Sequence, residues 1–120
     1  MLPDIVNLAD KFKQIPDFWH PRIVGELNDS YFKLARLKGA FVWHHHEVED
    51  ELFLVVKGTL VIRMRAGDLL IRAGEFAIIP HLVEHCPVAD EEVWVVLIEP
   101  KTTLNTGNIQ DDHTVNADWL

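Results

Sequence analysis

Residues 51–64 read ELFLVVKGTLVIRM. Two strand-like runs, Glu51–Val56 and Thr59–Met64, flank Lys57-Gly58. A short break between two such runs predicts a turn, so the pair reads as a hairpin. The period of two extends outward from it. Tyr31, Lys33 and Ala35 alternate with Phe32, Leu34 and Arg36, and a further run covers Phe41–His46. Ala66-Gly67-Asp68 and Ala73-Gly74-Glu75 are turn signals leading into Asp68–Ile71 and Phe76–Ile79, with Pro80 closing the latter. His85–Val88 and Val93–Ile98 complete the set. About eight short strands without intervening helices argue for an all-β sandwich or barrel.

The flanks read differently. Ile5, Leu8, Ala9, Phe12 and Ile15 recur at helical spacing, which predicts a helix over 4–15, capped by Asp4 and ended by Pro16. The stretch DFWHPR after it is aromatic and irregular and should lie against the body of the fold. The last twenty residues are polar and acidic, an extended arm that Trp119 should help to dock. The expected organisation is a single domain: helix and flank over 1–29, β core over 30–100, arm over 101–120.

Composition narrows the function. The 120 residues, 48% apolar and 25% charged, suit one globular domain. Such a chain buries roughly two-thirds of its unfolded surface and needs no disulfides. Cys86 is the single cysteine, in keeping with a cytoplasmic protein. Nineteen acidic residues against eleven basic ones give a net charge of −8. That sign argues against nucleic acid and against an anionic membrane surface as partners. No apolar run approaches the ~20 residues of a spanning helix, and the first residues lack the pattern of a secretory signal.

The unusual feature is histidine. There are seven, three of them consecutive in FVWHHH at 41–46. Successive strand side chains face opposite ways, so His44 and His46 share a face and His45 points away. Two imidazoles so placed can reach one ion. A short loop leads to Glu51, which a hairpin would return beside them, and His85 can arrive after the Pro80–Glu84 loop. Three histidines and a carboxylate suit one divalent cation among Fe, Mn, Ni, Zn and Cu. The plain readings are a surface histidine cluster, a satisfied polar His85, and a solvated loop at Glu47, Glu49 and Asp50, any of which could replace Glu51 as the carboxylate. Cys86 reads as a packed strand residue more readily than as a nucleophile. Arg63, Arg65 and Arg72 should face outward, so a phosphorylated sugar is not favoured as substrate.

The segment GAFVWHHHEVEDELFLVVKG, residues 39–58, resembles the first cupin motif, G-x5-H-x-H-x(3,4)-E-x6-G. His44, His46, Glu51 and Gly58 fall at its spacing, and Gly39 lies one residue too close. GEFAIIPHLVEH, residues 74–85, resembles the second, G-x5-P-x-G-x2-H-x3-N, through Gly74, Pro80 and His85. Leu82 replaces its glycine, which implies a different turn after Pro80, and Ala89 replaces its asparagine. The wording is most similar to small single-domain cupins of the mannose-6-phosphate isomerase-like kind. The resemblance implies a jelly-roll β-barrel, the double-stranded β-helix, with His44, His46, Glu51 and His85 as ligands of one divalent metal.

Such a site implies a small-molecule ligand, with Val42 and Phe53 or Leu52 as candidate pocket walls and Trp43 outside or at a dimer interface. Three classes follow: a metal-dependent oxygenase or isomerase, a non-catalytic metal- or ligand-binding module such as a sensor or store, and a structural domain with a vestigial site. The resemblance also implies a homodimer. Phe18, Trp19 and Trp119 in the flanks would form its contact surface or else plug one end of the barrel.

Overall fold

The computed structural model describes residues 1–120. Eight strands and one short helix follow in order: α1 (Leu8–Gln14), β1 (Arg22–Leu27), β2 (Ser30–Ala40), β3 (Glu51–Lys57), β4 (Thr59–Met64), β5 (Gly67–Arg72), β6 (Phe76–Ile79), β7 (His85–Pro100) and β8 (Asp118–Trp119). The architecture is all-β, as the strand pattern predicts, and is the jelly roll that the family resemblance implies. β5 and β6 each keep a free edge, so the sheet does not close completely.

The organising element is β7. Its sixteen residues unite the two strands predicted over His85–Val88 and Val93–Ile98. β2 runs antiparallel along one edge, from Ser30↔Pro100 to Ala40↔Val88. β3 and β4 share the other edge end to end: Leu52–Lys57 pair with Ile98–Trp94, and Val61–Met64 pair with Val88–His85. The expected β3–β4 hairpin is therefore absent. β3 already has β6 on one side and β7 on the other, which leaves no edge for β4. Lys57-Gly58 is a corner at which the strand bends and continues. Gly58 has φ 85°, and a Cβ there would stand 2.7 Å from the Glu92 carbonyl oxygen.

Alternation divides the side chains into two layers. Ala35 and Leu37 of β2, Phe53 and Val55 of β3, Leu60 and Ile62 of β4, and Val93, Val95 and Leu97 of β7 fill the interior. Leu34 and Val96 face the other way and pack under Phe12 and Ile15. Phe12 stacks on Trp94 with ring centroids 4.8 Å apart. The helix is shorter than the sequence suggests. Asn7, not Asp4, is the cap, accepting from the Asp10 amide at 3.0 Å. Ile5 is 97% exposed, so the turn before Asn7 has nothing to pack against.

Three further segments depart from expectation. Residues 22–27, read as part of an irregular flank, form β1, joined to β2 through Asn28-Asp29, with Asn28 at φ 52°. Residues 41–46 are not a strand but an extended stretch with one β-bridge, at His44. The C-terminal arm does dock: Asp118 and Trp119 pair with Arg22 and Ile23, and Trp119 meets Tyr31 edge-on. No helix is long and apolar enough to cross a membrane.

Gly58→Ala combines a left-handed φ with a backbone clash. It is expected to lower stability by about 1–3 kcal/mol, read as a fall in the urea midpoint. An unchanged midpoint would show that the corner relaxes freely.

Candidate metal centre

Three chain segments meet at one end of the interior. β2 ends at Ala40 and the chain runs on through the histidines; β3 opens with Glu51; β7 opens with His85. His44 and His85 exchange both backbone hydrogen bonds, at 3.0 and 2.9 Å. This bridge, and not a hairpin between a histidine strand and β3, brings the motifs together. The alternation read from FVWHHH holds: His44 and His46 are buried, while His45 turns outward to Glu47.

One donor atom from each of His44, His46, Glu51 and His85 lies within 4.8 Å of the others. All four residues are at most 4% exposed. His44 Nδ1 lies 2.9 Å from the Val42 carbonyl, and His85 Nδ1 stands equally far from that of Val83. A carbonyl only accepts, so these nitrogens donate and each Nε2 is left with its lone pair. His85 Nε2 and His46 Nε2 stand 3.3 and 3.4 Å from Glu51 Oε1. Both ring nitrogens of His46 are buried without a hydrogen bond. Lone pairs facing a carboxylate need a proton or a cation between them.

The electrostatics follow from burial. Burial, then the neighbouring His85, lowers the His44 pKa to about 4. Burial opposes ionisation of Glu51, but the imidazoles of His46 and His85 against its carboxylate outweigh it and hold that carboxyl well below its usual range. Glu99, on the same inward face of β7 as Val95 and Leu97, goes the other way: burial and then the charge of Glu51 push it well above. Lys33 Nζ meets Glu99 Oε1 at 2.8 Å, with both side chains buried. Burial also raises the Cys86 thiol, which suits a packed residue and not a nucleophile.

A cavity of ≈ 30 Å³ adjoins the cluster. Its polar side chains are His44, Glu51, Glu99 and Asn105, and Phe53 and Trp19 belong to its apolar wall. Val42 does not line it; its contribution is the carbonyl that orients His44. Leu52 is half-buried and faces away from it. Trp19 stacks on Phe41, donates Nε1–H to the Lys38 carbonyl and forms part of the cavity wall, whereas Phe18 and Trp119 stay exposed. Trp43 lies outside under Arg63 and Arg65.

The turn after Pro80 keeps a glycine-like conformation despite its leucine. Leu82 has φ 68°, its amide donates to the His46 carbonyl at 2.7 Å, and its side chain is exposed. The sequence reading missed the part played by the arm. Asn108 and His45 exchange two hydrogen bonds, and Gly107, at φ 54°, passes so close beneath the His45 carbonyl that no side chain would fit. Lys33 and Glu99 were also missed, although alternation places each among inward apolar neighbours.

A jelly roll with three imidazoles and a carboxylate converging at one end defines a class of small β-barrel domains. Residues 33–99 match the family model for the cupin domain. The chain belongs to that family. It is similar to a cupin-2 domain containing protein from Shewanella frigidimarina, with 45% identity, a TM-score of 0.79, and coverage of 80% of this chain and 94% of that one. Protein NMB1881 from Neisseria meningitidis is 31% identical with a TM-score of 0.74, covering 81% and 99%. YdbB of Bacillus subtilis is 35% identical over 63 residues, 52% of this chain and 56% of that protein. The match thus spans little more than half the length of that relative.

His44 also makes stability pH-dependent. Its folded pKa of about 4 lies below the ordinary 6.5. Between these values the unfolded chain binds a proton that the folded chain refuses. Stability is therefore full above 6.5 and is lost as pH falls toward 4. The metal-free protein is expected to lose on the order of 3 kcal/mol over that interval, followed by urea denaturation. His44→Phe should flatten the profile, and equal slopes would place the titration elsewhere.

Proposed function

We propose that this cupin holds one divalent cation on His44, His46, Glu51 and His85 and uses it on a small organic molecule, as an oxygenase or isomerase. The observation that carries the reading is His46, with two buried ring nitrogens that find no hydrogen bond and Nε2 3.4 Å from a buried carboxylate. A buried polar group without a partner is rare and costly unless something binds it. Imidazole and carboxylate donors suit Fe, Mn, Ni, Zn or Cu. When bound, the cation supplies Lewis acidity to a carbonyl or enolate oxygen, or dioxygen chemistry if it is redox-active.

The chain's own residues select the ligand. Lys33 is the buried cation of the interior, and Glu99 takes it at 2.8 Å. Arg63, Arg65 and Arg72 are exposed. Nothing in the cavity receives a phosphate, and the wall of Trp19 and Phe53 favours a compact, largely apolar body. A small uncharged molecule bearing carbonyl or hydroxyl oxygens matches this lining better than a sugar phosphate, and the cavity of ≈ 30 Å³ must widen to admit it.

The test is elemental analysis of protein purified without a histidine tag. One ion per chain is expected, with affinity falling at least ~100-fold in His44→Ala and Glu51→Ala. Absence of metal from the folded wild-type chain under metal-replete conditions would sink the proposal. Substrate-dependent oxygen uptake or isomer interconversion, lost in His46→Ala, separates turnover from binding alone.

We also propose a homodimer through the outer face of β6. Phe76 is 61% and Ile78 53% exposed on this free-edged strand, and exposed apolar clusters of this kind mark contact surfaces. Sedimentation should give a particle of twice the 13.8 kDa chain mass, split by Phe76→Glu. Only the single-chain species in the wild type would reject it.

A further inference from the structure

The three imidazoles of the cluster are not oriented alike. His44 and His85 each place Nδ1 2.9 Å from a backbone carbonyl two residues earlier, Val42 and Val83. That bond fixes the ring and leaves Nε2 as a lone pair toward the cluster. His46 has no such carbonyl, and its Nδ1 is buried and unbonded. The nearest acidic group to that nitrogen is Glu49, whose Oε1 lies 4.0 Å away. The Glu49 side chain is only 12% exposed, unusual for a residue of an acidic loop. Its other oxygen accepts a hydrogen bond from Thr102 Oγ1 at 2.7 Å. Thr102 stands just past β7, so the arm aims Glu49 at His46.

We infer that Glu49, held by Thr102, is the positioning residue of His46: it accepts the Nδ1–H and turns Nε2 into the cluster. About 1 Å of closure, or one bridging water, completes the hydrogen bond. His46 and Glu49 line a common cavity of ≈ 230 Å³ in which such a water fits. Glu49 lies on the Nδ1 side of the ring and Glu51 on the Nε2 side, so Glu49 is placed to orient the ring and not to replace Glu51. Carboxylate partners of this kind fix the tautomer of a ligating histidine and raise its basicity.

The inference rests on the reading of the cluster as a metal centre, and two measurements keep them apart. Tag-free wild type, Glu49→Ala, Glu49→Gln, Thr102→Val and, for comparison, Glu51→Gln are titrated with Zn(II) against a chelator of known affinity. The metal-free proteins are examined by 15N NMR of the histidine rings, which distinguishes Nδ1–H from Nε2–H. His46 should be the Nδ1–H tautomer in the wild type and in Glu49→Gln, which keeps an acceptor, and a mixture in Glu49→Ala. Zn(II) affinity should fall 10–100-fold in Glu49→Ala, stay within about threefold in Glu49→Gln, and fall by an intermediate factor in Thr102→Val. A general loss of packing would not be rescued by glutamine. An unchanged tautomer and affinity in Glu49→Ala would overturn the assignment. So would a loss in Glu49→Gln as large as that in Glu51→Gln, which would make Glu49 a metal donor. If the wild type takes up no Zn(II), the metal reading fails, and the tautomer of His46 in Glu49→Ala still decides the role of Glu49.

Discussion

A carboxylate removed from water needs compensation at close range, because its desolvation is not repaid by apolar packing. Glu51 is 4% exposed and faces the Nε2 atoms of His46 and His85 at 3.4 and 3.3 Å. Two of the surrounding rings donate Nδ1–H elsewhere, so their inward nitrogens are lone pairs. Such a cluster is not a satisfied core. It is stable only around a proton or a cation, and the neighbouring structure keeps it from relaxing. The His44–His85 bridge locks two of the segments, and the arm locks the histidine stretch from outside through Asn108.

The convergence depends on one bent sheet. β7 carries His85 at its start and Glu99 near its end, fourteen residues along, yet both border the same interior. That is feasible because β7 bends, and because β3 and β4 bend with it at Gly58 while staying on its edge. A straight strand of that length would separate its ends by roughly 45 Å. The corner thus brings Glu51 toward His85, and the clash that a side chain would cause at Gly58 links a backbone requirement to the geometry of the site.

Much of this was legible in the sequence, and the failures have physical causes. Parity placed His44 and His46 on one side and His45 on the other. The spacing to Glu51 and His85 named the cluster, though family resemblance supplied its geometry. The supposed hairpin at Lys57-Gly58 failed because local alternation cannot distinguish reversal from bending: in either case Val55 and Leu60 both face inward, as they do. Only the length of β7 and the prior claim of β6 on β3 decide between them. Asp4 and Asn7 are equally good caps by residue type, and the choice fell to where an apolar face finds something to cover. Asn105, Gly107 and Asn108 lie in a stretch without periodicity, where the signal is tertiary. Lys33 and Glu99 were different, since their inward parity could be read directly from β2 and β7.

Those two residues settle the charge of the interior. Lys33 and Glu99 are buried together at 2.8 Å, a pairing that avoids an uncompensated charge but adds little stability over apolar residues of similar size. Its value lies in what it does beside Glu51. The negative charge of Glu51 is one of the forces that drive Glu99 toward its protonated form. If Glu51 held a divalent cation, that force would be opposed and the Lys33–Glu99 pair could exist as two ions of zero net charge. With the proposed cation held by His44, His46, Glu51 and His85, three neutral imidazoles and one carboxylate would leave a single positive charge facing a cavity with no other free cation. One negative charge would balance it, and a dianionic phosphate would exceed it. On the proposed reading, such an interior would suit a neutral molecule that acquires one charge on an oxygen as it reacts, the situation of a carbonyl compound losing a proton beside that oxygen.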